Sequence, residues 1–176
     1  MNILPVFKFG LLNGWLFLLP LLAIHIITGI VFSKRKTEGQ PVIYIMFLFG
    51  VLHIFPIFIP IRYAPVWFSF GIVIYNIGLI VILSAVIGFA LNPINEPVSG
   101  GIFRYSRNPM YLGAFLLFLG IGLITLSWLY ILMIIIWIVL IHFIDLPLEE
   151  AECLKKYGQE YKNYLNRTPK WLGFPV

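Results

Sequence analysis

The segment 98–113, VSGGIFRYSRNPMYLG, gathers glycine, arginine, asparagine and proline in a chain that is otherwise strongly apolar. Its glycine pair, which ends at Gly101, lets the backbone approach a ligand closely because glycine carries no Cβ. Arg104 and Arg107 supply fixed positive charge with planar, bidentate donors. Pro109 then stands in the first turn of a hydrophobic helix, where a missing N–H is tolerated. These features predict an anion-binding site at a helix N-terminus, although a basic loop at a membrane edge accounts for them equally well.

A pair of carboxylates, Glu149 and Glu150, opens a polar segment, 148–165, that the sequence predicts to be an amphipathic helix packed on the membrane or on the loop. The apolar and aromatic residues of this segment recur at spacings of three, four and three, which places them on one helical face: Leu154, Tyr157, Tyr161 and Tyr164. Carboxylates in a first turn are favoured by the helix dipole, which is a sufficient structural reason for the pair. They are also groups that could accept a bound cation.

The composition excludes an ordinary soluble domain. Of the 176 residues, 61% are hydrophobic and only 11% are charged, whereas about a quarter of a soluble domain is charged. The single cysteine, Cys153, excludes an intrachain disulfide and a cysteine cluster for zinc, and no metal site is predicted. The net charge of +5 does not indicate nucleic acid as a partner, because in a membrane protein the position of the charges matters more than their sum.

Hydrophobic segments long enough to cross a bilayer, which takes about 20 residues, predict an all-α integral membrane bundle of about five transmembrane helices: 9–32, 42–61, 66–91, 109–126 and 128–146. A cytoplasmic C-terminal amphipathic helix follows them, after a break or bend at Pro147. No internal repeat or linker is visible, so we expect a single domain, 1–176. Three spans occupy 1–91, and a cofactor-binding loop, a helical hairpin and the C-terminal helix occupy 92–176.

The basic residues predict the orientation of these spans. If the loop 33–41 is cytoplasmic, every one of the twelve lysines and arginines lies on that side except Lys8 and Arg62, a strong positive-inside asymmetry. We therefore expect the N-terminus outside the cell. The segment 98–113 and the C-terminal tail lie together on the cytoplasmic side, where they could build one site.

The polar residues together resemble the membrane-embedded methyltransferases that include isoprenylcysteine carboxyl methyltransferase and the phospholipid N-methyltransferases. That family has a Gly-aromatic turn, then Arg-His-Pro-x-Tyr-x-Gly opening a hydrophobic hairpin, then a Glu-Glu pair. The matching residues are Gly101, Phe103, Arg107, Asn108, Pro109, Tyr111, Gly113, Glu149 and Glu150. The tail matches the carboxyl methyltransferase branch as G-x-E-Y-x-x-Y-x-x-R-x-P, through Gly158, Glu160, Tyr161, Tyr164, Arg167 and Pro169. The resemblance covers residues 97–170, and the first three spans match only as hydrophobic segments.

The resemblance implies S-adenosylmethionine as cofactor and a lipophilic or lipid-linked acceptor that enters from the bilayer. It assigns cofactor binding to Val98, Gly101, Phe103, Asn108, Pro109, Tyr111, Glu149 and Glu150. It assigns catalysis and placement of the acceptor to Arg107, Glu150 and Arg167. Because an arginine clamp suits a carboxylate better than an amine, the activity is expected to be most like isoprenylcysteine carboxyl O-methylation. Phospholipid or lipid-amine N-methylation, and a non-catalytic membrane protein that retains the fold, remain alternatives.

Asn108 departs from the family pattern, which has histidine at this position. Asparagine can donate and accept hydrogen bonds but cannot carry a proton near neutral pH. A carboxylate acceptor is already ionised and needs no base, so Asn108 is compatible with O-methylation. An amine acceptor must lose a proton, which leaves the proton acceptor of that reaction unassigned.

Three histidines lie within the predicted spans. His25 and His53 have no second ligand at metal spacing, so hydrogen bonding between helices is favoured over a functional role. His142 and Asp145 stand three residues apart on one face of the predicted helix, and a structural pair is favoured over a role in lining the site.

Overall fold

The computed structural model describes residues 8, 10–33, 43–93 and 95–175, and this part of the chain is all-helical apart from one isolated bridge between Asn13 and Pro60. Its α-helices are α1 (Leu19–Ser33), α2 (Ile43–Ile54), α3 (Pro65–Leu91), α4 (Pro109–Thr125), α5 (Trp128–Leu140), α6 (Leu146–Tyr157) and α7 (Gln159–Arg167). Short 3-10 turns precede α1, follow α2 and lie in the loop before α4. The predicted loop 33–41 lies outside the described residues, apart from Ser33 at the end of α1.

Two helices are long and apolar enough to cross a membrane: α3, with 27 residues, and the continuous helix Trp128–Tyr157, with 30 residues. The other apolar helical stretches are shorter and span Gly14–Ile30, Ile45–Phe58 and Pro109–Thr125. Each coincides with one of the three remaining predicted spans. The all-helical fold is therefore confirmed, with two candidate membrane spans, and the crossing of the bilayer by all five segments stays a prediction.

Helices α3 and α4 are in backbone contact along a seam of glycines. Two glycines seven residues apart on each helix face the other helix: Gly71, Gly78, Gly113 and Gly120. A Cβ on Gly78 would lie 2.5 Å from the backbone nitrogen of Leu117, closer than any van der Waals contact. Small residues allow such close approach between membrane helices. The seam fixes the position of α4, whose N-terminus carries the segment singled out in the sequence.

Helix α5 continues into α6 through one π-helical turn, Ile141–Asp145. The N–H of Leu146 donates to the carbonyl of Ile141, and Pro147 falls in the first turn of α6, where its missing N–H is tolerated. The predicted interruption at Pro147 thus takes the form of a wider turn rather than the end of a helix. Such π-turns change which side chains share a face.

The prediction of one amphipathic helix over 148–165 is wrong in one respect: the segment forms two helices, α6 and α7, divided at Gly158. This residue has φ +57°, a left-handed conformation that glycine adopts readily. Tyr161 and Tyr164 on α7 are buried as expected, whereas Leu154 on α6 is exposed. The break therefore separates the predicted apolar face into two parts.

Candidate active site

The C-terminal residues 168–173, here called the strap, lie against the loop that precedes α4. The backbone N–H of Arg107 donates to Pro169 O at 3.0 Å, and the N–H of Gly173 donates to Tyr105 O at 3.0 Å. In addition, the Tyr164 hydroxyl on α7, which precedes the strap, donates to the carbonyl of Phe103 in the loop at 2.8 Å. The structure therefore brings the loop and the tail together into one site.

Asn108, which caps the N-terminus of α4, holds the strap in place. Its side-chain Nδ2 donates to Lys170 O at 2.9 Å, and its backbone N–H donates to the buried Ser106 Oγ at 3.1 Å. The contact with Lys170 requires only an N–H donor. An asparagine amide supplies that donor without carrying a proton.

Arg107 and Glu150 form a half-buried ion pair at the same end of α4. Arg107 Nη1 lies 3.2 Å from Glu150 Oε1, and Lys170 Nζ lies 3.7 Å from Glu150 Oε2. The shorter contact is an ion pair without hydrogen-bond geometry, and Arg107 Nε is buried with no hydrogen-bond partner in the described part of the chain. Two cations face one carboxylate here. The group therefore carries a surplus positive charge and an N–H donor that a bound carboxylate would satisfy.

Two carboxylates converge on the Tyr111 hydroxyl, one turn further along α4. The hydroxyl lies 2.8 Å from Asp145 Oδ2 and 2.7 Å from Glu149 Oε1. A tyrosine has one O–H proton and can donate to only one of them at a time. The second short contact between oxygens requires another proton or a cation.

Glu149 lies beyond the apolar part of its helix, 128–146, and is exposed, while its carboxyl group lies 2.7 Å from the Tyr111 hydroxyl. Loss of solvation at this contact raises the pKa of Glu149 from 4.5 to about 7. The hydrogen bond from Tyr111 opposes the rise, and the neighbouring carboxylates add to it: Asp145, Glu152 and Glu150. A bound cation would take the place of the proton that this carboxyl retains near neutral pH.

The predicted pairing of His142 with Asp145 is wrong. Asp145 accepts from Tyr111, and His142 Nδ1 accepts from the Trp171 indole N–H at 2.9 Å, with the two rings stacked. Both residues lie in the π-turn, where a spacing of three no longer places side chains as it does on an α-helix. Asp145 therefore belongs to the site, although the sequence favoured a structural pair with His142. The signal for a functional role was an ionisable side chain at the end of a predicted span.

A cavity of about 270 Å³ adjoins the Tyr111 and Asp145 side chains and extends between α1, α2, α4 and α5. Its wall is mostly apolar and aromatic, and the Phe49 and Trp137 rings stack at 5.5 Å within it. The residues that line it are Ile24, His25, Thr28, Ile45, Met46, Phe49, Ile82, Met110, Tyr111, Ala114, Trp137, Ile141 and Asp145. A largely apolar cavity with a few polar groups at one end suits a lipophilic ligand that carries a polar group.

The remaining predicted site residues lie around this cluster. Phe103 and Pro109 are buried, Val98 is half-buried and Gly101 is exposed with φ +58°. Arg167 is exposed, and its Nε donates to Asn163 O at 3.3 Å within its own helix. It lines an open depression on α7 with Asn163 and Asn166. The structure thus groups Arg107, Asn108, Tyr111, Glu149 and Glu150 and leaves Arg167 outside that group.

A comparison with known families finds one match that covers more than half of the chain. A family model described as phospholipid methyltransferase matches residues 63–160, from just before α3 to the first turn of α7. No curated protein and no solved structure matches the chain. The matched region contains the loop, the helical hairpin and the two glutamates, whereas α1 and α2 lie outside it.

Proposed function

Because the chain belongs to the phospholipid methyltransferase family, we propose that it is an S-adenosylmethionine-dependent enzyme that methylates a lipophilic acceptor carrying an amine. The chain is a membrane protein from a family of methyltransferases. The cofactor and the acceptor are our proposals, and each is supported by a different part of the site.

The cofactor is supported by two carboxylates that form no ion pair, and by one guanidinium N–H that has no hydrogen-bond partner, within the described part of the chain. When bound, S-adenosylmethionine supplies an electrophilic methyl group on a sulfonium, together with an ammonium and a carboxylate. Asp145 and Glu149, which share one tyrosine proton, suit its cationic part. Arg107, whose Nε is the N–H without a partner, suits the carboxylate. We assign the adenine to the loop that includes Val98, Gly101 and Phe103, which adjoins the start of α4 at Asn108 and Pro109.

Our proposal that the acceptor carries an amine rests on one observation, the chemistry of the groups that line the cavity. Asp145 contributes a carboxylate. The Thr28 hydroxyl donates to Ile24 O at 2.6 Å, which leaves its oxygen as an acceptor toward any ligand. The aromatic faces of Phe49 and Trp137 favour a cation over an anion. Acceptors and aromatic faces around an apolar space are suited to an alkylammonium group.

A second candidate is the carboxyl O-methylation of an isoprenylcysteine type of acceptor. The tail motif with Arg167 favours it, as does the surplus positive charge around Arg107. A carboxylate acceptor also needs no proton acceptor, so Asn108 poses no difficulty for this chemistry. In this alternative, Arg107 serves the acceptor, and Glu150 serves as its partner.

We further propose that all five apolar segments cross the bilayer as one domain, with the N-terminus outside the cell. The positive-inside asymmetry supports a cytoplasmic position for the strap and the site. The acceptor then reaches the cavity sideways from the membrane lipids, between helices, and the water-soluble cofactor arrives from the cytoplasm.

Calorimetry with S-adenosylmethionine, on protein in detergent and in lipid nanodiscs, tests the cofactor. Membranes that contain the protein, supplied with methyl-deuterated cofactor, then identify the acceptor by mass spectrometry of the labelled lipids. We expect saturable binding and label on an amine nitrogen. Label on a carboxylate would favour the second candidate. Absence of binding at millimolar cofactor in both environments would exclude an enzyme that uses this cofactor.

A further inference from the structure

Two histidines on neighbouring helices meet beside the cavity. The rings of His25 on α1 and His53 on α2 lie 4.9 Å apart in an edge-to-face arrangement. Aromatic rings surround the pair, with Phe49 at 4.5 Å and Phe118 at 5.1 Å from His53. His25 also lines the cavity. Two imidazoles therefore lie in apolar surroundings next to the proposed acceptor space.

The hydrogen bonds of these histidines determine which ring nitrogen carries the proton. The Nδ1 of His25 lies 2.7 Å from Leu21 O, and the Nδ1 of His53 lies 2.8 Å from Phe49 O. A backbone carbonyl only accepts, so each Nδ1 carries its proton and donates it. A neutral imidazole has one N–H, and each Nε2 therefore keeps a lone pair. The Nε2 of His53 is buried with no hydrogen-bond partner among the residues described.

We predicted that His25 and His53 form hydrogen bonds between helices. For the Nδ1 atoms this prediction is wrong. Both rings bond to a carbonyl of their own helix, one turn earlier. Burial of the unpaired Nε2 of His53 costs free energy, and the bond at its Nδ1 does not offset that cost. Both histidines are ionisable groups within predicted spans, which makes them candidates for function.

The proposed amine methylation needs a proton acceptor that the family motif does not supply in this chain. Asn108 cannot take a proton, and its amide is bonded to Lys170 O. Asp145 and Glu149 both lie against the Tyr111 hydroxyl, and the proposed function assigns both to the cationic part of the cofactor. His25 is the basic group that lines the cavity and, in the described part of the chain, bonds only through Nδ1.

We propose that His25 Nε2 accepts the proton that an amine acceptor must lose before methylation, an inference that rests on the proposed function. The N–H bond of the ammonium group breaks, an Nε2–H bond forms, and the nitrogen lone pair becomes available for attack. The positive charge moves to the imidazole ring, which lies 4.9 Å from the His53 ring and lines the same cavity as Tyr111 and Asp145. The carboxylate of Asp145, in the same cavity, stabilises this charge. The proton leaves to water before the next turnover.

The first test is NMR of ring ¹⁵N-labelled protein without cofactor, with dodecylamine as the probe and dodecanoate as the control ligand. The His25 signals are assigned from their loss in His25→Gln. We expect the ammonium group of dodecylamine to donate a hydrogen bond to His25 Nε2 and so to shift its signal, and dodecanoate to leave it unchanged. An Nε2 signal that dodecylamine does not move overturns the assignment without any measurement of turnover.

The second test is turnover with a lipid amine. His25→Gln should lower kcat by about 100-fold, as expected for loss of a general base, with a much smaller change in KM. Imidazole should restore part of the activity of His25→Ala, which a purely structural role would not allow. Asn76→Gln, on the exposed face of α3, is the control for substitution of a polar residue in a span.

The outcomes separate the two proposals. Turnover of His25→Gln at the wild-type rate overturns the role of His25 and leaves the methyltransferase in place. Wild-type protein that methylates no amine overturns the amine methyltransferase, and the role of His25 is rejected with it. If His25→Gln fails to fold, the His25 signals are assigned from their loss in His25→Ala, and the NMR of the wild-type protein and the imidazole rescue of His25→Ala still decide the question.

Discussion

The side chain of Asn108 donates a hydrogen bond to the backbone carbonyl of Lys170, 62 residues later in the chain. The residue that departs from the family pattern is thus the one that ties the strap to the start of α4. Its role in the structure is that of a donor. A histidine with a proton on the facing nitrogen could make the same bond, whereas a residue without an N–H could not.

Substitution of Asn108 tests this bond. Asn108→Ala should weaken cofactor binding about fivefold, because one hydrogen bond contributes about 1 kcal/mol. It should also expose the strap to carboxypeptidase. Asn108→His should retain most of the affinity and the protection. Calorimetry and time-resolved digestion measure the two effects, and an Asn108→Ala protein with a strap as resistant as wild type would contradict the role.

Removal of the Arg107 guanidinium should weaken S-adenosylmethionine binding by about tenfold or more, since a hydrogen bond to a charged group contributes about 1.5–3 kcal/mol. Arg107→Lys should not restore the affinity, because lysine lacks the planar fork and the Nε donor. Arg62→Ala, an exposed arginine before the N-terminus of α3, is the matched control. Equal affinities for wild type and Arg107→Ala would refute the assignment.

The raised pKa of Glu149 predicts how pH affects both stability and binding. The folded protein retains a proton between pH 4.5 and about 7 that the unfolded chain releases. The free energy of unfolding therefore falls as pH rises through this window. Thermal melts should show this slope in wild type and a shallower one in Glu149→Gln. Binding of the cationic cofactor should strengthen through the same window as the carboxyl ionises, and should lose this dependence in Glu149→Gln.

The glycine seam predicts a large effect of a single methyl group. Gly78→Ala would bring a Cβ to 2.5 Å from the backbone of Leu117, so the two helices must separate. Overpacking of this kind costs about 1–3 kcal/mol, which should lower the melting temperature in detergent. Gly29→Ala on α1 is the control, because its Cβ would meet no atom of the described residues within 4 Å. Equal melting temperatures for the two variants would show that the seam is not tightly packed.

The sequence predicted what depends on hydropathy and on short motifs. The apolar segments and the adjacency of the loop and the tail follow from composition, from charge asymmetry and from the order of the motifs. The strap contact between Asn108 and Lys170 joins residues too distant for any local pattern to indicate. The link from Tyr111 to Asp145 depends on a π-turn, and no residue type specifies one, so an α-helical spacing assigned Asp145 to the wrong partner.

The histidines show a different limit. Their positions within spans raised the question of function, but the tautomer follows only from the carbonyls that the rings reach, Leu21 O and Phe49 O. Sequence periodicity places a side chain on a face of a helix. It does not determine which of two nitrogens on one ring remains basic.

The glycine seam also distinguishes the pair α3 and α4 from the pair α1 and α2. Gly71, Gly78, Gly113 and Gly120 hold α3 against α4, whereas a Cβ on Gly29 of α1 or Gly50 of α2 would meet no described atom within 4 Å. The α3–α4 contact lies within the region that the family model matches, and α1 and α2 lie outside it. The matched region therefore contains the helix pair that fixes the start of α4, whereas the part of the cavity wall formed by α1 and α2 is not part of what the family shares.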